Sequence, residues 1–145
     1  MENKKILIVE DSQDDKDLII RAFKKSDVHA QVLVLQDGAE ALDYMRCAGA
    51  FQNKATYDIP DLILLDLKLP KVDGRELLKA FKKDKIFKFI PVIILSSSGE
   101  RSDLDDCYNF GVNSYIKKPI DFTLFTKIMK ETIHYWFNIN EQPRF

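Results

Sequence analysis

The stretch "LILLDLKLPKVDG", from Leu62 to Gly74, carries the strongest fold signal in the sequence. Its four leading apolar residues, at positions 62–65, are typical of a strand buried on both faces of a parallel sheet. The run leads directly into a carboxylate, Asp66, and then into a loop that contains a proline. Because burial of an isolated carboxylate is unfavourable, we expect Asp66 either at a strand end in water or in a site that holds it for chemistry.

Short apolar runs of the same kind recur along the chain. They are "ILIV" (6–9), "VLVL" (32–35), "VIIL" (92–95) and "SYI" (114–116). Apolar residues at helical spacing occupy the segments between the runs. Helix starts are indicated at Ser12, Asp37 and Asp73, each followed three residues later by an acid, and Gly111 indicates a helix end. Five strands alternating with five helices predict a (βα)5 arrangement, with a parallel sheet covered on both faces.

The composition narrows the classes of protein to consider. The chain of 145 residues is long enough for one domain, and its 22 basic and 23 acidic residues nearly balance. It therefore lacks the positive charge typical of proteins that bind nucleic acid or anionic membranes. The first apolar run is too short for a signal peptide or a membrane span. Cys47 and Cys107 do not have the spacing of a metal site, and we predict a cytoplasmic protein.

Polar residues follow every predicted strand, and at four of them they could carry chemistry, whereas Gln36-Asp37-Gly38 after the second strand indicates only a helix cap. Glu10 and Asp11 follow the first strand, Asp66 the third, Ser96 the fourth and Lys118 the fifth. Because the carboxyl ends of parallel strands share one edge of a sheet, these side chains are expected to meet there. Clustered carboxylates suit Mg²⁺, and a carboxylate is also a nucleophile toward phosphorus. Such a set of residues favours phosphoryl transfer, in which a metal and a lysine neutralise negative charge.

These motifs, taken in order, resemble the receiver domain of two-component response regulators. The resemblance rests on "ILIVED" (6–11), "LILLDLKLPKVDG" (62–74), "PVIILSS" (91–97) and "YIKKP" (115–119). It implies a flavodoxin-like doubly wound fold with a five-stranded parallel sheet in the order 2-1-3-4-5. It also implies a protein that takes a phosphoryl group from the phosphohistidine of a sensor histidine kinase, with no enzymatic activity beyond Mg²⁺-dependent self-phosphorylation and self-dephosphorylation.

The resemblance also assigns roles to individual residues. Asp66 is the expected phosphoacceptor, and Mg²⁺ is the expected cofactor. The expected metal ligands are Asp11, Asp66, the backbone carbonyl of Lys68 and, through a water molecule, Glu10. Ser96 is the expected switch hydroxyl, Tyr115 the switch aromatic, and Lys118 the phosphate contact. The position before proline favours Lys118 over Lys117, and the Lys118–Pro119 bond is expected to be cis.

The two ends of the domain lead to further predictions. We assign residues 1–137 to the receiver domain and 138–145 to a short C-terminal extension. The long connection at 47–60 and the aromatic C-terminus are similar to those of the stand-alone regulators that pair with phytochrome kinases. Extra apolar residues on the last helix predict a homodimer through the face formed by helix 4, strand 5 and helix 5, unless the tail folds back over that surface. The residues concerned are Phe122, Leu124, Tyr135 and Phe137.

Three other functions use similar residues or the same fold. The first is a receiver-like docking module that is not phosphorylated. The second is an aspartyl-phosphate phosphatase, which needs an acid two residues after the nucleophile, where this chain has Lys68. The third is a flavin-binding module, which the acidic stretch "EDSQDD" disfavours because it would repel a phosphate.

Overall fold

The computed structural model of the chain describes residues 4–53 and 59–143. Within these residues one five-stranded parallel sheet has the order β2-β1-β3-β4-β5. The strands are β1 (Lys4–Val9), β2 (Ala30–Leu35), β3 (Leu62–Asp66), β4 (Val92–Ser96) and β5 (Ser114–Lys117). The α-helices are α1 (Gln13–Lys25), α2 (Gly38–Arg46), α3 (Gly74–Lys83), α4 (Arg101–Asn109) and α5 (Phe122–His134). The predicted fold class and strand order are confirmed.

The two faces of the sheet carry separate hydrophobic cores. Side chains alternate between the faces, so that Leu7 and Leu65 lie in one core while Ile6 and Leu64 lie in the other. Residues of α2, α3 and α4 complete the first core, and residues of α1 and α5 complete the second. Every residue of β3 and β4 is buried. This double burial explains why these two strands are continuous apolar runs in the sequence.

The predicted helix caps are present. The hydroxyl oxygen of Ser12 accepts a 3.3 Å hydrogen bond from the backbone N–H of Asp15, and Asp37 accepts one of 2.8 Å from Glu40. Asp73 caps α3 through the N–H of Arg75 rather than that of Glu76. Gly111 follows α4 with a φ of +94°, a backbone conformation that favours glycine.

Gly74 brings the start of α3 against the end of β3. A Cβ atom at this position would collide with the backbone carbonyl oxygen of Asp66 and would lie 2.6 Å from that of Leu67. The Gly74 N–H also donates a 2.9 Å hydrogen bond to the Leu67 carbonyl. Only a residue without a side chain permits this approach, so Gly74 helps to set the position of Asp66.

The C-terminal segment is partly packed on the domain. A π-helical turn, Tyr135–Ile139, continues α5, and the ring of Phe137 packs edge-on against Phe23. Phe137 is half-buried at the margin of the buried face, as predicted, and Phe122, Leu124 and Tyr135 are exposed. Gln142 donates a 3.1 Å hydrogen bond to the backbone oxygen of Trp136.

Residues 144–145 of the predicted extension and 54–58 of the long connection lie outside the described residues. No helix of the described residues has the length and apolar character needed to cross a bilayer.

Candidate functional site

Three carboxylates meet at the carboxyl-end edge of the sheet, as the strand ends predicted. Oxygen atoms of Glu10, Asp11 and Asp66 lie within 4.8 Å of one another. Glu10 and Asp66 are buried, with 1% and 8% of their surface exposed, while Asp11 is exposed. The N–H of Glu10 donates to the carbonyl of Leu35, which extends the pairing of β1 with β2 and holds Glu10 at the sheet edge.

Negative charge is concentrated at this edge. Burial, together with the neighbouring Asp66, raises the pKa of Glu10 from 4.5 to about 8. A cation between the three carboxylates would relieve this repulsion, and an all-oxygen donor set fits a hard divalent ion. The backbone N–H of Lys68 lies 3.4 Å from Asp66 Oδ1, and the Lys68 side chain is exposed. The backbone of Lys68 thus borders the cluster, and the role of its carbonyl as a metal ligand stays a prediction.

Lys118 supplies the positive charge of the site. Its Nζ lies 2.6 Å from Glu10 Oε1, 2.8 Å from Asp15 Oδ2 and 3.6 Å from Asp66 Oδ2. Burial alone would lower the pKa of Lys118, but the charges of Glu10 and Asp66 and the hydrogen bond to Asp15 raise it above its usual value. Between the two adjacent lysines, the one that reaches the carboxylates is therefore Lys118.

The expected cis bond before Pro119 is absent. No peptide bond among the described residues is cis, and that prediction is wrong for Lys118–Pro119. The lysine is directed into the site by other contacts. Its N–H donates a 2.7 Å hydrogen bond to the Ser96 carbonyl, and its Nζ contacts Glu10, which follows β1, and Asp15 on α1. Lys117 follows a different course, with its Nζ beside Gly99.

Ser96 and Tyr115 lie on neighbouring strands beside the carboxylates. Ser96 is buried at the end of β4, and its Oγ accepts a 3.1 Å hydrogen bond from the N–H of Ser98. The half-buried Tyr115 donates a 2.8 Å hydrogen bond from its hydroxyl to the Ser98 carbonyl. The two predicted switch residues are thus connected through Ser98.

Ser98 is also joined to helices α4 and α3. Its hydroxyl donates a 2.6 Å hydrogen bond to Asp103 on α4. Asp103 and Asp106 each lie 3.3 Å from Nη1 of Arg75, which is on α3. The chain of contacts from the sheet edge to the outer helices therefore runs through charged side chains that the sequence analysis did not place in the site.

Asp15 is a further residue of the site that the sequence patterns did not predict. It was identified only as a partner of the Ser12 helix cap, although its carboxylate contacts Lys118. The acidic stretch "EDSQDD" contained a signal for it, because Asp15 is four positions after Asp11. That spacing brings a carboxylate of the first turn of α1 back toward the strand end.

Comparisons with known proteins agree with this geometry. Residues 6–130 match the family described as the response regulator receiver domain. The chain is 38% identical over 138 residues to the probable methanogenesis regulatory protein FilR2 of Methanothrix harundinacea, covering 95% of this chain and 86% of that protein. It is 35% identical over 140 residues to the response regulator Rcp1 of Synechocystis sp., covering 97% and 93%.

Solved structures give the same answer. The crystal structure of the phosphorylated cyanobacterial phytochrome response regulator RcpA superposes with a TM-score of 0.92 at 40% identity, covering 99% of this chain and 100% of that one. The Mn²⁺-bound form of Rcp1 superposes with a TM-score of 0.91 at 34% identity, covering 97% and 99%. The family match, the strand order and the carboxylates at the sheet edge together lead to one conclusion: this chain belongs to the response regulator receiver domain family.

Proposed function

We propose that this protein is a response regulator of a two-component phosphorelay that accepts a phosphoryl group on Asp66. The observation that carries the proposal is the position of Asp66, which ends β3 inside the carboxylate cluster and 3.6 Å from Lys118 Nζ. A carboxylate oxygen of Asp66 attacks phosphorus, the bond from phosphorus to the donor histidine breaks, and an acyl phosphate forms. Family membership and the phosphorylated state of RcpA support this role.

Glu10, Asp11, Asp66 and the Lys68 carbonyl would hold Mg²⁺, which when bound offsets the negative charge of these carboxylates and of the phosphoryl oxygens. The Mn²⁺-bound form of Rcp1 supports a divalent ion at such a site. The remaining residues act on the phosphoryl group directly. The Lys118 ammonium pairs with one phosphoryl oxygen and the Ser96 hydroxyl donates to another. Lys118 has to approach Asp66, from which its Nζ is 3.6 Å away, and a turn of the Ser96 side chain toward the phosphoryl group would break the bond that its Oγ accepts from the Ser98 N–H.

The output of the switch is a change in a protein–protein interaction face. When the Ser96 hydroxyl turns toward the phosphoryl group, Ser98 loses one of its contacts, and Tyr115 and α4 are attached to Ser98. Displacement of Ser98 therefore alters the surface formed by α4, β5 and α5. That surface exposes apolar side chains at both helices, with Tyr108 54% exposed on α4 and Tyr135, which follows α5 and lies beside β5, 46% exposed.

Two protein partners are inferred, a kinase from the similarity to RcpA and a second copy of this chain from the α4–β5–α5 face. The phosphoryl donor is a sensor histidine kinase, and the description of RcpA as a phytochrome response regulator favours a kinase of the phytochrome type. A homodimer forms through the α4–β5–α5 face, which carries the exposed apolar residues.

The near balance of charge argues against nucleic acid as a partner. The protein acts in the cytoplasm, with residues 1–137 as the receiver and 138–145 as a short extension.

Intact-mass spectrometry after incubation with acetyl phosphate tests the phosphoacceptor. Wild-type protein should gain the mass of one phosphoryl group when Mg²⁺ is present and none in EDTA. Asp66→Asn should gain none while remaining folded by circular dichroism. Asp14→Asn, which removes an exposed carboxylate of α1, should still be labelled. Label in folded Asp66→Asn would refute the assignment, and a wild type that is labelled neither by acetyl phosphate nor by a histidine kinase would indicate the docking module.

Analytical ultracentrifugation tests the interface. We expect wild-type protein to sediment as a dimer, and Leu124→Glu to sediment as a monomer because a charge would enter the apolar face. A monomeric wild type at concentrations up to about 100 µM, well above typical dimer affinities, would contradict the homodimer.

A further inference from the structure

The strongest group left unused by the proposed function is Asp15. Its carboxylate is on the first turn of α1, only 23% of its side chain is exposed, and Oδ2 lies 2.8 Å from Lys118 Nζ. The Lys118 side chain is 11% exposed, so this ion pair is largely shielded from water. A charged hydrogen bond in such a place is stronger than a pair on the open surface.

Lys118 is closer to Asp15 than to Asp66, the residue whose phosphoryl group it is expected to contact. Its Nζ is within hydrogen-bonding distance of Glu10 and Asp15 but 3.6 Å from Asp66. The ammonium therefore has to approach Asp66 to contact a phosphoryl group there. Contacts that hold it where it is oppose that movement.

Asp15 differs from the other two carboxylates around Lys118. Glu10 and Asp66 both belong to the cluster that can hold a metal ion, and Asp15 does not. Occupation of the cluster by a cation would engage the oxygens of Glu10 and Asp66, whereas Asp15 would keep its negative charge for Lys118. Asp15 is also held in place, because the N–H of Asp15 donates to Ser12 Oγ at the start of α1.

We propose that Asp15 is a positioning residue that holds the Lys118 ammonium away from Asp66 and thereby lowers the affinity of the site for a phosphoryl group. This inference rests on the proposed function, since it assumes that Lys118 contacts the phosphoryl oxygens. If part of the population keeps Lys118 on Asp15, the apparent affinity for a phosphoryl-like anion falls by the fraction that is held. Asp15 thus sets how readily the unphosphorylated protein is switched.

The contact also joins two elements of the fold. Asp15 is on α1, and Lys118 lies in the loop between β5 and α5. Transfer of the ammonium from Asp15 to the phosphoryl group would therefore release α1 from that loop. Phosphorylation would therefore change the contact between α1 and the β5–α5 loop, in addition to the contact between Ser96 and Ser98.

The test is the binding of beryllium fluoride, an anion that mimics a phosphoryl group on a carboxylate, measured by isothermal titration calorimetry at saturating Mg²⁺. We expect Asp15→Asn to bind it about three- to tenfold more tightly than wild type, the range expected when one partly shielded ion pair is removed. Asp14→Asn is the matched control. It removes an acid from the same helical turn, is exposed, and is not among the carboxylates that contact Lys118, so its affinity should stay within twofold of wild type.

A double-mutant cycle separates positioning from simple charge removal. In a Lys118→Met background, Asp15→Asn should change the affinity by less than twofold, because the group that it holds is gone. An equal gain in both backgrounds, a gain shared by Asp14→Asn, or a loss of affinity in Asp15→Asn would overturn the proposal. A wild type that binds no beryllium fluoride but is folded would instead count against Asp66 as the phosphoacceptor, so the two failures are distinguishable.

Discussion

The hydroxyl of Tyr115 donates a 2.8 Å hydrogen bond to the backbone carbonyl of Ser98. The same residue, Ser98, donates its N–H to Ser96 and its hydroxyl to Asp103. One residue of the β4–α4 loop thus joins the buried end of β4, the aromatic side chain of β5 and the first turn of α4. A displacement of any one of these groups is transmitted to the other two through short, directional contacts rather than through loose packing.

Tyr115→Phe tests this connection. Loss of the hydroxyl removes one hydrogen bond, which should lower the free energy of unfolding by about 1 kcal/mol. Amide hydrogen exchange should accelerate at residues 98–104 and remain unchanged in β1. Tyr108→Phe, which removes a hydroxyl from an exposed side chain on α4, is the control and should leave both quantities as in wild type. Unchanged exchange at residues 98–104 in Tyr115→Phe would show that the hydroxyl does not hold the loop.

Gly74→Ala should disturb the phosphoacceptor without altering its chemistry. The added methyl group collides with the Asp66 carbonyl, so the end of β3 or the start of α3 must shift. We expect the free energy of unfolding to fall by about 1–3 kcal/mol, and labelling by acetyl phosphate to slow. Gly99→Ala is the comparison, since its Cβ would meet only the flexible end of Lys117, at 3.2 Å. Equal effects of the two substitutions on labelling would refute a special role for Gly74.

The buried Glu10 predicts an unusual dependence of stability on pH. Its pKa is about 8 in the folded protein against 4.5 ordinarily, so between these values the folded state retains a proton that the unfolded state has released. In metal-free protein the contribution of Glu10 to the free energy of unfolding should therefore fall as the pH rises from 4.5 to about 8. Mg²⁺ should oppose this loss, and stabilise the protein more at pH 8 than at pH 5, because it binds the deprotonated carboxylates.

Urea denaturation of wild type and Glu10→Gln, each with EDTA and with Mg²⁺, measures this effect. The amide cannot titrate, so the decline in stability between pH 5 and pH 8 should be smaller in Glu10→Gln than in wild type when both are metal-free. An equal decline in the two proteins would assign it to other groups.

Asn113 makes a separate contribution to stability at the opposite edge of the sheet. Its Oδ1 accepts hydrogen bonds from the Val92 N–H at 2.9 Å and from Lys82 Nζ at 2.8 Å. Asn113→Ala removes both, and because the residue is exposed, water partly replaces them. We expect the free energy of unfolding to fall by about 1 kcal/mol in thermal or urea denaturation. Asn109→Ala, at the exposed end of α4, is the control, and a loss as large as that of Asn113→Ala would rule out a specific role for these bonds.

The elements of the fold and the carboxylate cluster could be predicted from residue order alone. Apolar runs such as 62–65 and 92–95 predict buried strands because burial on both faces requires apolar residues at every position. Glu10, Asp11 and Asp66 could be placed together because the carboxyl ends of parallel strands lie at one edge of a sheet, which depends only on strand direction. These features follow from local patterns and from chain topology.

Contacts between side chains of different elements could not be predicted from the sequence. Asp15 and Lys118 are 103 residues apart, and Arg75 and Asp103 are 28 apart, so no local pattern predicts either pair. The trans bond before Pro119 and the edge-on packing of Phe137 against Phe23 likewise depend on how loops and helices pack. Such contacts require directions and distances that arise only when the helices dock on the sheet, whereas burial and strand ends are already encoded by residue type and order.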